Sequence, residues 1–412
     1  MDHTSRYCLN RYFLTPGTLI LVILPLLTLF ARPASGQGYE VGVRPDLWYN
    51  DVDGIQVGSI FAGRVAGTHE EGPHRLDAGF WISTWFPSLP VSYSLQFTEP
   101  VSAWSDYGSE FSIQLATAVR EGYHAHGVTA SKRWQDPFEY LNYWEAGAGY
   151  QFEKRFDDEY AVFPELWSDS WKGLIQPWLS RQQRGRLGMF NFTLSAMMNT
   201  LESPFQAASI SVSQQVVLSG QWQLRLRAFG AVNSRDALPE YQQQLATGAE
   251  INTLGSRISR AKGSVPTPWV RSGHVHFSGG PNLRGFRESD VEAIMEGSPR
   301  FFNRVAAYNV EFDLPNPLQT VIRRSQLQEF LSFRSYLFTD GAVAEGEAEI
   351  PGDSFYADAG AGLTLSLNIP DYQGRPRGFV IRYEVPFWLS DPINGDSLSF
   401  RHLLGFGATI TF

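Results

Sequence analysis

Two consecutive stretches decide the fold: Gln206–Leu218 (QAASISVSQQVVL) and Trp222–Asn233 (WQLRLRAFGAVN). In both, apolar and polar residues alternate with a period of two. The apolar face of the first stretch consists of Ala208, Ile210, Val212, Val216 and Leu218. Its other face is polar, and the second stretch alternates leucine with arginine over Leu224–Arg227. Side chains of a β-strand point alternately to its two faces, so the pattern predicts two amphipathic strands joined by a tight turn at 219–221.

The length of these stretches indicates the kind of sheet they form. The same alternation runs through Gly378–Leu389 and Arg401–Phe412. Strands of globular proteins average about 5–6 residues, whereas tilted membrane-spanning strands need about 9–11. One face carries Gly, Ser, Thr and paired charges, and the opposite face is continuously apolar. The sequence therefore favours a transmembrane β-barrel over the alternative, a soluble secreted β-protein.

Fifteen segments with strand character follow one another without a linker. They are 54–65, 76–86, 91–98, 109–121, 142–154, 172–182, 188–198, 206–218, 222–233, 266–277, 302–314, 330–343, 355–369, 377–389 and 401–412. Regions 120–133 and 240–256 are the candidates for one more strand. Bacterial single-chain barrels have even strand numbers. We therefore predict an all-β, antiparallel barrel of sixteen strands.

Composition agrees with a barrel and excludes several other classes. The chain has 412 residues, of which 14% are aromatic, and membrane barrels use aromatic side chains against lipid and in girdles at both interfaces. A helical membrane protein needs runs of about 20 apolar residues, and only one run comes close, at Leu19–Phe30.

That run predicts a cleaved secretory signal over residues 1–36, with Arg6 and Arg11 before it and Ala34-Ser35-Gly36 after it. A retained membrane anchor is the alternative. Cleavage would change the net charge from −9 to −11, which argues against nucleic acid as a partner, and would remove the one cysteine, Cys8. The predicted mature chain has a short periplasmic segment at 37–53 and a barrel at 54–412, in the bacterial outer membrane.

The most specific motif is Gly279–Glu288 (GGPNLRGFRE), in a long connection after a predicted strand. Here the sequence resembles the bacterial surface antigen superfamily of outer-membrane barrels, the group of BamA, TamA and the FhaC-type secretion transporters. The sixth extracellular loop of these barrels carries a V/I/L-R-G-F/Y motif after a Gly-rich lead-in. The motif residues in this chain are Leu283, Arg284, Gly285 and Phe286, with five predicted strands following.

The resemblance implies that this loop folds into the barrel lumen and that its arginine contacts acidic groups on the inner wall. A guanidinium is best held bidentately by a carboxylate. By inward phase, Asp340 and Glu311 are the candidate partners. Phe338-Thr339-Asp340 also matches the family's F-x-D-x-G, with the glycine displaced by one position. The C-terminal Phe412 resembles the signal by which outer-membrane barrels are recognised for insertion.

Further resemblance at Tyr49–Gly54 and Tyr383–Phe387 extends over the mature chain. It implies a role in envelope biogenesis, assisting the insertion or translocation of proteins or lipids. Members with this role usually carry periplasmic POTRA domains, for which residues 37–53 leave no room. We therefore expect a separate periplasmic protein or lipoprotein partner, together with outer-membrane lipid and client membrane or secreted proteins. The alternative is a channel or structural barrel without assembly activity.

Enzymatic signatures are weak. His69 and His74 are five residues apart, whereas the helical zinc-protease motif needs four, and Gly72-Pro73 forbids the helix. The pairs His124/His126 and His274/His276 are expected to be ordinary polar side chains. Neither a Gly-x-Ser-x-Gly motif nor a nucleotide-binding loop occurs in a supporting context. We expect no catalytic residues, no metal and no cofactor.

Overall fold

The computed structural model describes residues 39–50, 54–65, 74–83, 91–120, 123–137, 139–156, 168–246, 280–286, 300–346, 354–370, 376–392 and 396–409. They form one antiparallel sheet in which sixteen strands follow each other in chain order. The strands are β1 (Tyr39–Asn50), β2 (Gly54–Val65), β3 (Arg75–Ser83), β4 (Val91–Pro100), β5 (Phe111–Arg120), β6 (Tyr123–Gln135), β7 (Tyr143–Arg155), β8 (Lys172–Gly185), β9 (Gly188–Asn199), β10 (Gln206–Ser219), β11 (Trp222–Asn233), β12 (Phe302–Leu314), β13 (Leu331–Gly346), β14 (Ser354–Pro370), β15 (Pro376–Leu389) and β16 (Leu403–Thr409).

The strand count of sixteen agrees with the prediction, but two of the sixteen strands were not among the fifteen predicted segments. β6 fills the 120–133 region, as one of the two candidates. The assignment of 37–53 to a periplasmic segment is wrong, because Tyr39–Asn50 pairs with β2 along its whole length. The alternation of Val41 and Val43 with Glu40 and Gly42 was the overlooked signal. The predicted strand at 266–277 and the signal segment 1–36 lie outside the described residues.

The two faces of the sheet differ as the alternation predicts. On the outer face, large apolar side chains lie exposed on strands all around the sheet: Val41, Val57, Phe80, Leu115, Val128, Leu194, Ile210, Leu226, Tyr308, Leu337, Phe355, Leu363 and Tyr383. Neighbours in sequence, such as Trp81 on β3 and Tyr336 on β13, are buried on the inner face. A continuous apolar outer surface of this kind is what a membrane barrel presents to lipid.

The connection between β11 and β12 spans residues 234–301 and is called loop 6 below. The structure describes its residues 234–246, 280–286 and 300–301, and these parts contact the inner face. Tyr241 of loop 6 donates a hydrogen bond to Glu153 on β7. Arg284, in the same loop, contacts Glu384 on β15 at 2.9 Å. Since one loop touches the inner faces of strands so distant in order, the sheet curves around it. The fold is a sixteen-stranded β-barrel with loop 6 in its lumen.

The last strand is joined less regularly than the others. β16 is described over the 7 residues Leu403–Thr409. On the N-terminal side of β16, the non-strand residues 397–401 continue the hydrogen bonding of β15, for example from the Arg401 N–H to the Pro386 carbonyl at 3.1 Å. Within the described residues, the sheet order runs from β1 to β16 without a pairing between these two strands.

One α-helix, α1 (Pro317–Arg323), occurs in the connection between β12 and β13. Asn316 caps it by accepting a hydrogen bond from the Leu318 N–H at 2.8 Å, and Pro317 fits the first helical position. In the part of the chain that the structure describes, no helix has the length and apolar character needed to span a membrane.

The lipid-facing assignment predicts that one leucine is far more sensitive to charge than another. Leu226 lies near the middle of β11, is 39% exposed, and points outward. Leu226→Arg is expected to lower the free energy of unfolding of the protein in lipid vesicles by about 2–4 kcal/mol, because the charge meets hydrocarbon. Leu187→Arg is the control, in the turn between β8 and β9 at 64% exposure. Urea titration of vesicle-folded protein measures both, and equal losses would contradict the assignment.

Candidate functional site

The candidate site is the segment Gly280–Phe286 of loop 6 and the wall beneath it. Arg227 on β11 donates a hydrogen bond to the Gly280 carbonyl at 2.5 Å, and Asn309 on β12 reaches the Pro281 carbonyl at 3.1 Å. Asn282 adopts a positive φ of 58°, which turns the chain. The next three residues, Arg284–Phe286, form a single 3-10 turn. These contacts fix the backbone at residues 280–282, on the N-terminal side of the motif residues.

Arg284 is the centre of the site and is only 1% exposed. Its Nε and Nη2 atoms donate to the two oxygens of Asp340, both at 2.8 Å, which is a bidentate pair. Its Nη1 atom donates to Glu311 at 2.8 Å and to Glu384 at 2.9 Å. Burial alone would lower the pKa of Arg284, but hydrogen bonding to Asp340 and the charges of the three carboxylates raise it well above its usual range. The guanidinium is therefore held charged in a buried position.

Phe338 covers one face of this guanidinium, with the Arg284 Cζ atom 3.9 Å from the ring centroid. That distance is typical of a cation–π contact. The ring has room because Gly360 on β14 lies opposite Phe338, where a Cβ atom would come within 2.4 Å of the ring. The displaced Gly341 has another role: it lies beneath Tyr308 on the outer face, where a Cβ atom would clash at 2.4 Å. The glycine that admits Phe338 thus comes from the neighbouring strand.

Gly285 follows the arginine and approaches β14 closely. Its N–H donates to Asp358 at 2.9 Å. A Cβ atom at this position would lie 2.7 Å from the Asp358 Cβ and 2.9 Å from the Leu389 Cδ1. A side chain of any size would therefore lift the loop from the wall.

Leu283 and Phe286 flank the polar centre and anchor it by burial. Both are fully buried, in an apolar cluster formed by Phe229, Ala231, Leu245, Phe302, Val305, Ala307, Ala342, Ala344, Tyr356 and Leu389. Phe286 meets Tyr356 edge to face with centroids 5.5 Å apart. Burying a side chain of this size contributes about 1.5–3 kcal/mol.

Further arginines surround the carboxylates that hold Arg284. Arg334 contacts Glu311 at 2.5 Å and Asp313 at 2.7 Å. Arg382 lies 3.6 Å from Glu384, and Tyr336 donates a hydrogen bond to Glu384 at 2.7 Å. These contacts offset the repulsion between the carboxylates. The site is therefore a network in which positive and negative side chains alternate.

A second buried pair fixes the earlier part of loop 6. Glu240 contacts Lys172, the first residue of β8, at 3.2 Å, and both side chains are buried. Burial raises the pKa of Glu240, and Lys172 opposes part of that rise. The Asn233 side chain donates to the Tyr241 carbonyl at 2.8 Å. Loop 6 is thus held at two places, on the β7–β8 side and on the β12–β15 side.

The structure brings together the seven residues predicted from the sequence for the loop motif and its wall partners. Leu283, Arg284, Gly285 and Phe286 lie in the lumen, and Asp340, Glu311 and Phe338 all contact Arg284. Phe412 lies beyond the described residues, as do His69, His274 and His276. His124 lies on β6 in phase with the exposed Val128 of the outer face and not with the lumen.

Sequence reasoning missed three residues of the site: Glu384, Asp358 and Asn309. Glu384 belongs to a quoted motif and faces inward, as its alternation with Tyr383 and Val385 indicates. Inward phase alone could therefore have nominated it. Asn309 shares the polar face of β12 with Glu311, so its phase places it in the lumen without assigning it a contact. The contacts of Asp358 and Asn309 depend on strand register, which pairs Asn309 with Asp340 and Asp340 with Asp358.

The fold and the site define a class of β-barrel, one of sixteen strands with an arginine-centred loop in its lumen, and comparison with solved structures finds the same fold. The crystal structure of BamA from Haemophilus ducreyi lacking POTRA domains 1–3 matches with a TM-score of 0.50 at 14% identity, over 90% of this chain and 70% of that chain. CdiB from Escherichia coli matches with a TM-score of 0.41 at 11% identity, over 90% of this chain and 62% of that chain. The fold predicted from the surface antigen resemblance is confirmed. No family model and no curated protein matches the sequence.

The close approach at Gly285 gives a test of whether the loop is seated. Gly285→Ala is expected to displace the segment and expose the peptide bond after Arg284 to trypsin, which the buried arginine otherwise resists. Gly185→Ala is the matched control, because a Cβ atom there meets nothing closer than 4.0 Å. Mass spectrometry of a limited digest detects the new cut. Equal resistance in wild type and Gly285→Ala would show that the segment is not held in this way.

Proposed function

We propose that this barrel assists the insertion or translocation of proteins or lipids in the outer membrane, in cooperation with a separate periplasmic partner. The observation that carries the proposal is the seating of loop 6: Arg284 ties it to β12, β13 and β15 through Glu311, Asp340 and Glu384. This clamp immobilises the strands next to β16. The proposed role of the site is structural and gating, without bond chemistry and without catalytic residues.

The irregular edge at β16 supports the same proposal. β16 contains Gly405 and Gly407, and glycine inside a strand weakens it. Part of β15 bonds instead to the non-strand residues 397–401. A firm set of strands beside a weak last strand is suited to opening sideways toward lipid, and a client segment could enter the membrane there.

An exposed apolar surface on the β12–β13 connection supports a partner at the end of the barrel opposite loop 6. Leu318 and Val321 on α1 are 58% and 66% exposed, and Leu327 and Phe330 follow them at 51% and 46%. Contiguous exposed apolar side chains mark interaction sites more often than isolated ones. We propose that a periplasmic protein covers this surface.

A second candidate function is a channel or structural barrel that keeps the fold without assembly activity. A cavity of about 470 Å³ in the β5–β11 half of the lumen favours it. Planar-bilayer recording separates the two functions. Large, steady currents indicate an open pore, whereas a closed, flickering barrel agrees with assembly.

The gating role predicts that Arg284→Ala gives a folded but inactive barrel. Its strands keep their own pairings, so the protein should retain heat-modifiable migration in SDS gels, while rescue of cells depleted of the chain should fall at least tenfold. Arg284→Lys should also fail, because an ammonium group keeps the charge but cannot make the bidentate contact. The control is Arg304→Ala, whose exposed ion pair with Glu345 lies outside the site. Full rescue by Arg284→Ala would refute the role.

The exposed apolar surface on the β12–β13 connection predicts that a periplasmic partner binds there. A pull-down of the full chain from membranes should recover a periplasmic protein or lipoprotein, and Leu318→Asp with Val321→Asp should abolish its recovery. Leu187→Asp, in an exposed turn at the same end of the barrel, is the control. Recovery that is unchanged by the paired substitutions would place the partner elsewhere, and the absence of any recovered protein would contradict the partner.

A further inference from the structure

A polar chamber occupies the lumen between β5 and β11, away from the Arg284 site. Its volume is about 470 Å³, within the range of about 300–1,000 Å³ that is usual for small-molecule sites. Its polar lining consists of hydroxyl and amide side chains, among them Thr129, Gln151, Gln176, Ser195, Asn233 and Gln243, and apolar side chains such as Met197 and Phe229 complete it. These groups can both donate and accept hydrogen bonds.

The chamber is close to neutral, which restricts what it could bind. Glu145 is the one carboxylate among its lining residues. Arg133 donates to that carboxylate through Nε at 2.9 Å and Nη2 at 2.7 Å, so its charge is already matched. A charged ligand would lose its hydration without finding a counter-charge. The lining therefore fits an uncharged, polar ligand.

Three buried amide side chains in the lining each have an atom without a hydrogen-bond partner in the described part of the chain. They are the Nε2 atom of Gln176, the Oδ1 atom of Asn233 and the Oε1 atom of Gln243. All three residues are less than 9% exposed. A buried polar atom without a partner costs free energy. Because these atoms are covered, rotation of the three amides toward the chamber would be needed to bring them to a ligand, and a ligand that offers hydroxyl groups would then satisfy them.

Trp178 adds a flat apolar surface to the chamber. It lies on the inward face of β8 over Gly147, where a Cβ atom would come within 2.4 Å of the indole. The ring is therefore supported from below by backbone. An indole face surrounded by amides and hydroxyls is complementary to a pyranose, which has an apolar C–H face and a rim of hydroxyl groups.

The chamber wall offers no edge for an extended peptide. Peptides are commonly bound by adding a strand to a free sheet edge, but β6 to β10 in this wall are each paired on both sides. On the loop 6 side, Gln243 is held by two backbone hydrogen bonds with Phe302, both 2.9 Å. The chamber is thus a preformed site for rigid, compact groups.

From these observations we propose that the chamber binds a neutral saccharide, of about one or two rings, on Trp178 with Gln176, Asn233 and Gln243 as hydrogen-bond partners. The proposal goes beyond the assembly role and does not depend on it, since the chamber shares none of the charged side chains of the Arg284 network. A glycan that is carried by a client, or one that passes through the lumen, presents the same chemistry.

The test uses the full chain, purified in lauryldimethylamine oxide because maltoside detergents carry a sugar headgroup. Fluorescently labelled protein is applied to an array of immobilised neutral mono- to tetrasaccharides. The best-bound glycan is then titrated by calorimetry. Trp178→Ala and Gln176→Leu are expected to weaken binding at least tenfold. Trp134→Ala is the matched control, because Trp134 lies on β6 but faces outward with 49% exposure, and it should bind as wild type does.

Heat-modifiable migration in SDS gels shows that each variant is folded. A Gly/Ser-rich decapeptide is titrated in parallel as the peptide alternative. Retention of no glycan, binding of the decapeptide alone, or glycan binding that Trp178→Ala and Gln176→Leu leave unchanged in folded protein would each overturn the proposal. The outcome is independent of the rescue result for Arg284→Ala, so the two proposals can fail separately.

Discussion

The buried guanidinium of Arg284 is the constraint on which the rest of the lumen depends. Moving a charge from water into a protein interior costs several kcal/mol even after relaxation, and removing one partner of a buried pair costs about 3–5 kcal/mol. Carboxylates from β12, β13 and β15 offset this cost by pairing with the guanidinium. Asp358 on β14 accepts a hydrogen bond from the next residue, Gly285. Four consecutive strands thus each direct one acid at two residues of loop 6. Strand register, more than any single side chain, makes the site.

The register also explains how much the sequence could predict. Period-two alternation predicted most strands to within a few residues, because one face meets lipid and the other meets the lumen, and it identified Asp340 and Glu311 as inward-facing. It placed Asn309 on the same face as Glu311, but it could not assign the contacts of Asp358 or Asn309, since these arise from pairing across strands that are separated along the chain. The first strand was missed for a different reason. Pro45 interrupts its pattern, although a proline is compatible with a strand at the edge of a sheet.

The two sides of the lumen differ in chemistry. The β11–β15 side is dense with charge, and Arg225, Arg227, Arg334 and Arg382 lie between the acids. On the β5–β10 side, the buried charges of the described residues lie in the contacts that hold loop 6 and in ion pairs, whereas the chamber has Glu145 as its one lining carboxylate, already paired with Arg133. Charged groups at short distance fix geometry, whereas neutral polar groups bind weakly and exchange partners easily. The charged contacts on both sides are therefore suited to holding loop 6, and the chamber to binding a ligand reversibly.

Loop 6 joins these two sides mechanically. Its Glu240 and Tyr241 are attached to Lys172 and Glu153 on the β7–β8 side, and its Arg284 to the β12–β15 side. Because both attachments are buried, releasing either one exposes charges or leaves them unpaired, and the loop resists small displacements until a contact breaks. β16 takes no part in this double attachment, and non-strand residues 397–401 bond to part of β15 in its place. β12 to β15 share the cost of the buried arginine, so a lateral movement of these four strands would require the release of an attachment of loop 6.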